Sequence, residues 1–196
     1  MTVGRPREFD PETVLETAME LFWEHGYDGV SISDLTDATG VNRRSLYAAF
    51  GSKEELFAKA VERYMSGPAW YIAEALRQPT AWDVSRAMVH GAADANTGPG
   101  RPRGCLLVRV DLAQQRSDSV KALARRFDEA QAAGELPGVS TLVLSRWINS
   151  LCQGISVQAR SGATREELHE VADLALAGWP STERSSANDD ASRRTG

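Results

Sequence analysis

The 196-residue sequence contains few cysteines and no long apolar segment. Its two cysteines, Cys105 and Cys152, are too few for a secreted fold that depends on disulfides, so a reducing cytoplasm is the expected location. A transmembrane helix needs about 18 consecutive apolar residues, and no such segment is present. The first residues also lack the apolar stretch of a signal peptide. We therefore expect a cytoplasmic protein without a membrane partner, and the 42% of hydrophobic residues suffice for a sizeable core.

Residue patterns that carry catalysis or bind metal ions are also missing. The three histidines and two cysteines do not have the spacing of metal ligands. The sequence has no Ser/His/Asp arrangement, no paired-carboxylate motif and no glycine-rich phosphate loop. We therefore predict a protein that is not an enzyme and that has no cofactor and no bound metal. A small helical enzyme is the alternative, and a turnover assay on candidate ligands would distinguish the two.

Acidic residues outnumber basic ones, and the excess lies in the N-terminal third. The net charge is −5, whereas a simple nucleic-acid-binding protein is expected to be basic. Residues 1–60 carry six basic and eleven acidic side chains, and the remaining residues carry sixteen of each. Over residues 41–60 the balance reverses to four basic and two acidic side chains, so basic charge is local. Glu16, Glu20 and Glu24 recur every four residues and are expected to form one solvated stripe that repels DNA.

Helix-capping residues and helical apolar spacing recur along the whole chain. Asp10 and Pro11 predict a helix start and Gly26 its end. Capping boxes begin at Ser31 and Ser52. The helices predicted in this way cover 11–25, 31–39, 42–50, 53–66, 69–78, 80–96, 105–115, 118–133, 139–161 and 164–177. No alternating strand pattern is present, so we predict an all-α fold of about nine helices. Residues 181–196 have no apolar face and are expected to be disordered.

A helix-turn-helix pattern spans residues 31–50, with Gly40 in its tight turn. In such a motif the second helix enters the DNA major groove with polar residues near its N-terminus. Arginine reads guanine with two hydrogen bonds, and helix N-termini favour phosphate oxygens. The residues predicted to contact DNA are Ser31, Asn42, Arg43, Arg44, Ser45, Tyr47 and Lys53.

The N-terminal part of the chain resembles the TetR family of bacterial transcriptional regulators. The resemblance covers about residues 8–63 and departs from the family pattern at Arg44, where many members carry glycine, and at Ala48 and Ala49. It rests on Phe9-Asp10, Ala18, Leu21-Phe22, Gly26-Tyr27, Ser31, Leu35, Ala38, Gly40-Val41, Leu46-Tyr47, Phe50 and Ser52-Lys53-Glu54-Glu55-Leu56.

The resemblance implies a dimeric regulator, most often a repressor, that binds a near-palindromic DNA operator and is released by a small-molecule effector. The two major grooves would lie about 34–36 Å apart or a multiple of that distance. Residues 1–52 would form the DNA-binding domain, 53–66 a connecting helix, 67–180 the ligand-binding and dimerisation domain, and 181–196 a tail. An activator is an open alternative.

The effector site implied by the resemblance has no motif of its own. For each candidate, ordinary core packing is an equally open interpretation, and His25 and His169 are expected at the surface. Cys105 follows Arg101 and Arg103 at a predicted helix start, a setting that favours thiolate, so a redox or electrophile sensor is a further alternative. The candidate lining residues are Trp70, Tyr71, Trp82, Met88, His90, Cys105, Arg109, Leu112, Phe127 and Trp147.

The two C-terminal helices carry apolar stripes that can serve either of two purposes. They can close an internal core, or they can meet their copies across a two-fold axis in a four-helix bundle. We favour the homodimer because one helix-turn-helix offers too few contacts for a typical specific affinity. The predicted interface residues are Leu144, Ile148, Leu151, Ile155, Leu168, Val171 and Leu174.

Overall fold

The computed structural model describes residues 9–110, 112–136 and 138–180. Within these residues the chain forms ten α-helices and no strand, which confirms the all-α prediction, and one helix lies near each of the ten predicted ranges. The predicted disorder of residues 181–196 lies outside the described residues. The helices are α1 (Pro11–His25), α2 (Ile32–Thr39), α3 (Arg43–Phe50), α4 (Lys53–Ser66), α5 (Trp70–Leu76), α6 (Ala81–Thr97), α7 (Leu106–Arg109), α8 (Ala113–Ala132), α9 (Thr141–Arg160) and α10 (Arg165–Leu176).

The boundary between α7 and α8 differs from the prediction. Instead of helices over 105–115 and 118–133, α7 ends after four residues and α8 begins at Ala113. Val110 adopts an extended conformation that stops α7. The side chain of Arg116 donates from Nη1 to the carbonyl oxygen of Leu107 at 3.0 Å and thereby satisfies a group that α7 leaves free. No glycine or proline marks this break, so the sequence pattern did not predict it.

The chain divides into two compact units. The first comprises the residues up to Trp70 together with Gly100–Pro102, and the second comprises Tyr71–Pro99 and the residues from Arg103 onward. In the first unit α1 packs against α2 and α4, and α3 packs against α2 and α4. Its core is aromatic at the centre: Phe22 and Trp23 are fully buried, and Trp23 meets Tyr64 edge to face at 4.9 Å.

The second unit is built around α9, which packs against α6 and α8, while α10 packs against α6. Apolar residues at helical spacing on each of these helices face a common core. At one end of this core the indole ring of Trp179 lies 5.8 Å from Trp82, 5.9 Å from Phe127 and 6.4 Å from Trp147. Through this aromatic cluster Trp179, which lies beyond the end of α10, packs against α6, α8 and α9.

Replacing Gly40 by alanine is expected to destabilise the first unit. Gly40 ends α2 with a φ of +69°, and its backbone N–H donates to Thr36 O at 2.9 Å. A residue with a Cβ is strained in this left-handed conformation by about 1 kcal/mol. We expect Gly40→Ala to lower the free energy of unfolding by that amount in a urea titration.

The matched control is Gly138→Ala. Gly138 lies outside the left-handed region, and a Cβ built there meets nothing within 4 Å. This control is expected to leave stability unchanged or to raise it slightly. Equal midpoints for the two variants would show that the conformation of Gly40 does not constrain the turn.

Candidate nucleic-acid interface

Side-chain caps hold the helix-turn-helix segment. The Ser31 hydroxyl accepts a hydrogen bond from Asp34 N at 3.1 Å, and the Asp34 carboxylate accepts one from Ser31 N at 2.7 Å. This backbone hydrogen bond holds the pKa of Asp34 below its usual value. At the start of α3, Asn42 Oδ1 accepts from Ser45 N at 2.9 Å. Of the residues predicted to contact DNA, Ser31 thus lies at the start of α2, and Asn42 and Ser45 lie at the start of α3.

The exposed face of α3 carries the two arginines and Tyr47. Leu46 and Phe50 are buried and anchor the opposite face, whereas Tyr47 is 37% exposed. Arg43 Nη2 donates to the Tyr47 hydroxyl at 3.3 Å, and its guanidinium lies 5.5 Å from the ring centroid. Arg44 is exposed and has no hydrogen bond or ion pair with any described residue. The arrangement presents one restrained guanidinium and one unrestrained guanidinium side by side.

Lys53 has an intramolecular partner that the sequence pattern did not reveal. Its Nζ donates to the backbone oxygen of Tyr27 at 2.7 Å and lies 4.1 Å from the Tyr27 ring centroid. Burial raises the pKa of the Tyr27 hydroxyl, and a hydrogen bond with Glu54 raises it further. Lys53 therefore joins the start of α4 to the loop after α1, in addition to its predicted place at a helix N-terminus.

The expected acidic stripe on α1 is wrong in its first member. Arg63 of α4 contacts both Glu12, at 2.7 Å between Nη1 and Oε2, and Glu16 through its Nε. A second arginine, Arg101, also lies near Glu16, with 3.8 Å between Arg101 Nη2 and Glu16 Oε1. These carboxylates hold the pKa of Arg63 above its usual value, with the hydrogen bond to Glu16 as the largest cause. The charge of Glu16 is therefore largely compensated within the first unit, while Glu20 is half-buried and Glu24 is exposed.

The second unit contains a cavity of about 50 Å³ that brings together only part of the predicted effector site. Of the ten candidates it is lined by Tyr71, Met88 and Cys105. Burial raises the pKa of Tyr71 and raises that of Cys152 to about 12, so both side chains are neutral at physiological pH. Several polar lining residues were not predicted from the sequence, although the spacing of Asn149 and Gln153 beside Cys152 on α9 could have indicated them. The missed polar residues are Asn96, Arg116, Ser119, Asn149, Cys152 and Gln153.

The other seven candidates do not line this cavity. Trp70 is 59% exposed and belongs to the first unit. His90 contacts His169 at 2.6 Å, and His169, expected at the surface, is half-buried. Arg109 is exposed and Leu112 is half-buried, and neither side chain lines the cavity. The three that remain, Trp82, Phe127 and Trp147, surround Trp179 in the aromatic cluster.

The predicted dimer stripe is largely the internal core. Four of its seven members are buried within the single chain, so they cannot reach a second copy, and Leu151 is half-buried. Val171 and Leu174 are exposed, Leu174 by 79%. On α9 the exposed apolar residues are displaced by one or two positions from the buried stripe, and they include Val143 and Val157. The four members that this finding removes from the interface are Leu144, Ile148, Ile155 and Leu168.

Two absences hold for the part of the chain that the structure describes. Over residues 9–110, 112–136 and 138–180, no group of three His, Cys, Asp or Glu side chains could hold a metal ion. None of the described helices is both long enough and apolar enough to cross a membrane.

Lys53→Met is expected to destabilise the first unit by about 1 kcal/mol, because it removes the hydrogen bond to Tyr27 and the cation–π contact with its ring. Lys59→Met is the matched control, since Lys59 is exposed on the same helix and its loss changes the net charge equally. Chemical denaturation of both variants measures the difference. If both lose the same stability, the contact with Tyr27 contributes nothing beyond charge.

Comparisons with known proteins agree with this architecture. A family model described as "Bacterial regulatory proteins, tetR family" matches residues 14–60. The HTH-type transcriptional repressor ComR of Escherichia coli (strain K12) is 33% identical over 193 residues, which cover 90% of this chain and 92% of ComR.

A cysteine mutant of the TetR family transcriptional regulator CifR, solved with a 26-base-pair double-strand operator DNA, is 34% identical with a TM-score of 0.84. That match covers 90% of this chain and 100% of the CifR chain. A TetR transcriptional regulator from Rhodococcus sp. RHA1 is 40% identical with a TM-score of 0.60, over 87% of this chain and 100% of its own. The chain therefore belongs to the tetR family of bacterial regulatory proteins.

Proposed function

We propose that this chain is a cytoplasmic transcriptional repressor that binds a near-palindromic operator as a homodimer and is released by a small-molecule effector. The observation that carries the proposal is the exposed guanidinium pair at the start of α3, held by caps and packed on a buried core. The relatives support repression rather than activation: ComR and the AcnR protein of Corynebacterium glutamicum are both repressors. The CifR mutant, at 34% identity, is bound to operator DNA.

Each polar group on the proposed reading surface has a distinct chemical use. Arg44, whose side chain has no partner among the described residues, is assigned to a guanine edge, where its planar fork donates two hydrogen bonds. Arg43 and Tyr47 form a pair suited to a phosphate oxygen, because both are donors at the same place. Ser31 and Asn42 use an oxygen as the helix cap, which leaves the hydroxyl proton and the amide NH₂ to donate to DNA.

The homodimer is assigned to the exposed apolar residues of α9 and α10. Val143 and Val157 on α9, and Val171 and Leu174 on α10, are large apolar side chains left in solvent by the single chain. Large apolar side chains that are exposed on neighbouring helices are typical of a protein–protein contact. Gly154, exposed on α9 with nothing within 4 Å of a Cβ built on it, leaves room for the close approach of a second helix. A second copy supplies the second reading head that a specific affinity requires.

Of the pockets in the second unit, the effector is assigned to the cavity lined by Tyr71, Met88 and Cys105. Its volume of about 50 Å³ is far below the roughly 300 Å³ at which ligand pockets begin, so the cavity must widen for an effector to enter. An effector that binds only the widened state shifts the population toward that state. Release of DNA follows if the widened state no longer presents the two reading heads at the operator spacing.

Arg44→Ala tests the base-reading role. We expect a loss of about 1–3 kcal/mol, or roughly 5- to 150-fold in affinity, on a duplex that the wild-type protein selects from random-sequence DNA. Affinity for a scrambled duplex should change little, since only a base contact is lost. Arg125→Ala, at an exposed position of α8, is the control and should change neither affinity. An equal loss on both duplexes for Arg44→Ala would assign this residue to phosphate.

Leu174→Glu tests the dimer face. We expect the variant to sediment as a monomer at concentrations where the wild-type chain is a dimer, because a carboxylate placed in an apolar interface must be desolvated. Ala132→Glu, at an exposed position of α8, is the matched control and should remain dimeric. If Leu174→Glu also remains dimeric in analytical ultracentrifugation, the interface lies elsewhere.

A further inference from the structure

Two histidine rings meet where α6 packs against α10. The ring centroids of His90 on α6 and His169 on α10 lie 4.9 Å apart, with planes inclined by 26°. Their Nδ1 atoms are 2.6 Å apart, so one must donate a proton and the other must accept it. The outer nitrogen of each ring faces a carboxylate. His169 Nε2 lies 2.8 Å from Asp94 Oδ1, and His90 Nε2 lies 3.1 Å from Asp173 Oδ1.

These contacts limit the number of protons that the pair can hold. An ionised Asp94 only accepts, so His169 Nε2 carries a proton and neutral His169 offers Nδ1 as the acceptor. His90 Nδ1 then donates to it, and in the neutral pair His90 Nε2 is bare and has no hydrogen-bond partner among the described residues. One added proton on that atom can be donated to Asp173. A second added proton would go to His169 Nδ1. Two N–H groups on two positively charged rings would then face each other at 2.6 Å, and their repulsion would break the contact.

The charges closest to the pair come from both of its helices. Asp173 of α10 acts on His90 and favours its charged form, whereas Arg86 of α6 disfavours it. Arg165 of α10 binds the same carboxylate as His169, with its Nε 2.6 Å from Asp94 Oδ1. Arg165 and His169 thereby hold the Asp94 carboxylate at the contact between the two helices.

The helices that pack behind this seam contribute differently. The guanidinium of Arg126 on α8 donates to the carbonyl oxygens of Gln78 and Pro79, before the start of α6. On α9 the Cys152 thiol donates toward Met88 O at 3.6 Å and stays neutral. The remaining charged side chains of α9 are exposed, and they are Arg146 and Arg160.

We propose that the His90–His169 pair is an acid-sensitive lock, which accepts at most one added proton and so releases α10 from α6 in mild acid. The consequence for DNA rests on the proposed function, because α10 also carries Val171 and Leu174 of the proposed dimer face. When α10 leaves its place on α6, the two copies lose the surface through which they associate. Mild acid then weakens operator binding without any effector.

The direction of the pH effect follows from counting protons. Histidines in an unfolded chain have a pKa of about 6.5, so both of these rings bind a proton below that pH. The native pair holds at most one, and burial lowers the pKa of His90, against the opposing effect of Asp173. The unfolded state therefore binds more protons in this range. Stability is fully present above about pH 6.5 and is lost as the pH falls, with the unfolding constant rising by up to about tenfold per pH unit.

The first test measures the unfolding constant of the full chain from about pH 7.5 to 5.5. Wild type should show a rise of about tenfold per pH unit below about pH 6.5. His169→Gln should lose most of this rise, because a lone His90 can be protonated without a like charge opposite. His25→Gln is the matched control, since His25 is the only other histidine in the sequence and is exposed at the end of α1. The proposal is overturned if His169→Gln keeps the wild-type slope.

The second test needs no variant that alters the contact. Nitrogen-15 NMR of the histidine rings in the wild-type chain should show the His90–His169 pair taking up at most one proton in the folded state, with His25 as an internal reference. Two independent ring titrations of ordinary midpoint would contradict the proposal, even if His169→Gln failed to fold.

DNA binding separates this proposal from the proposed function. On the selected duplex, wild type and His25→Gln should lose up to about tenfold in affinity between about pH 7.5 and 5.5, and His169→Gln clearly less. If neither the wild-type chain nor either variant binds the duplex at any pH, the proposed repressor function is wrong. The unfolding and NMR measurements still test the proposed protonation of the His90–His169 pair in that case. If the lock titrates as described but affinity does not change with pH, the link from α10 to DNA is wrong.

Discussion

Hydrogen bonds between side chains and the free backbone N–H groups at helix starts hold the DNA-facing unit in shape. α2 and α3 have eight residues each, and isolated helices of that length are unstable in water because nucleation is unfavourable. Ser31 and Asn42 supply acceptors to the first turns, while Leu35 and Leu46 bury the inner faces. The Asn42 cap also decides where α3 begins, and therefore that Arg43 and Arg44 lie in its first exposed turn. The rest of the proposed DNA contact depends on this choice of start.

The starts of α1 to α4 could be predicted because a capping motif is local. The donor and the acceptor of each cap lie within four residues of one another, at the helix start that they define. The whole capping pattern can therefore be found in one short stretch of sequence. The separation of α7 from α8 could not be predicted in this way, because it depends on Arg116 reaching back nine residues to the Leu107 carbonyl oxygen. The ion pairs of Arg63 with the acidic residues of α1 and the contact of Lys53 with Tyr27 join still more distant positions.

Helical periodicity predicts that a face is apolar but not what covers it. Both apolar faces of α9 fit the sequence, and only the packing against α6 and α8 shows that Leu144 and Ile148 face inward while Val143 and Val157 face solvent. The same limit applies to His90 and His169, which are 79 residues apart and look like unrelated surface or core positions until α10 is placed on α6. The cavity residues are the hardest to predict from periodicity, because they come from several helices and share no common spacing.

The two adjacent arginines of α3 differ in how much freedom they have before DNA arrives. Arg43 already rests on Tyr47, so part of its rotamer entropy is lost when the protein folds. Arg44 keeps its rotamers and loses them on binding, which costs about 0.5–1.5 kcal/mol for a long side chain. In the proposed complex Arg43 is therefore a preorganised contact, with a small entropic penalty at any sequence. Arg44 has the larger penalty there, and only a well-matched base offsets it, so the proposed roles concentrate discrimination between sequences in the more mobile of the two side chains.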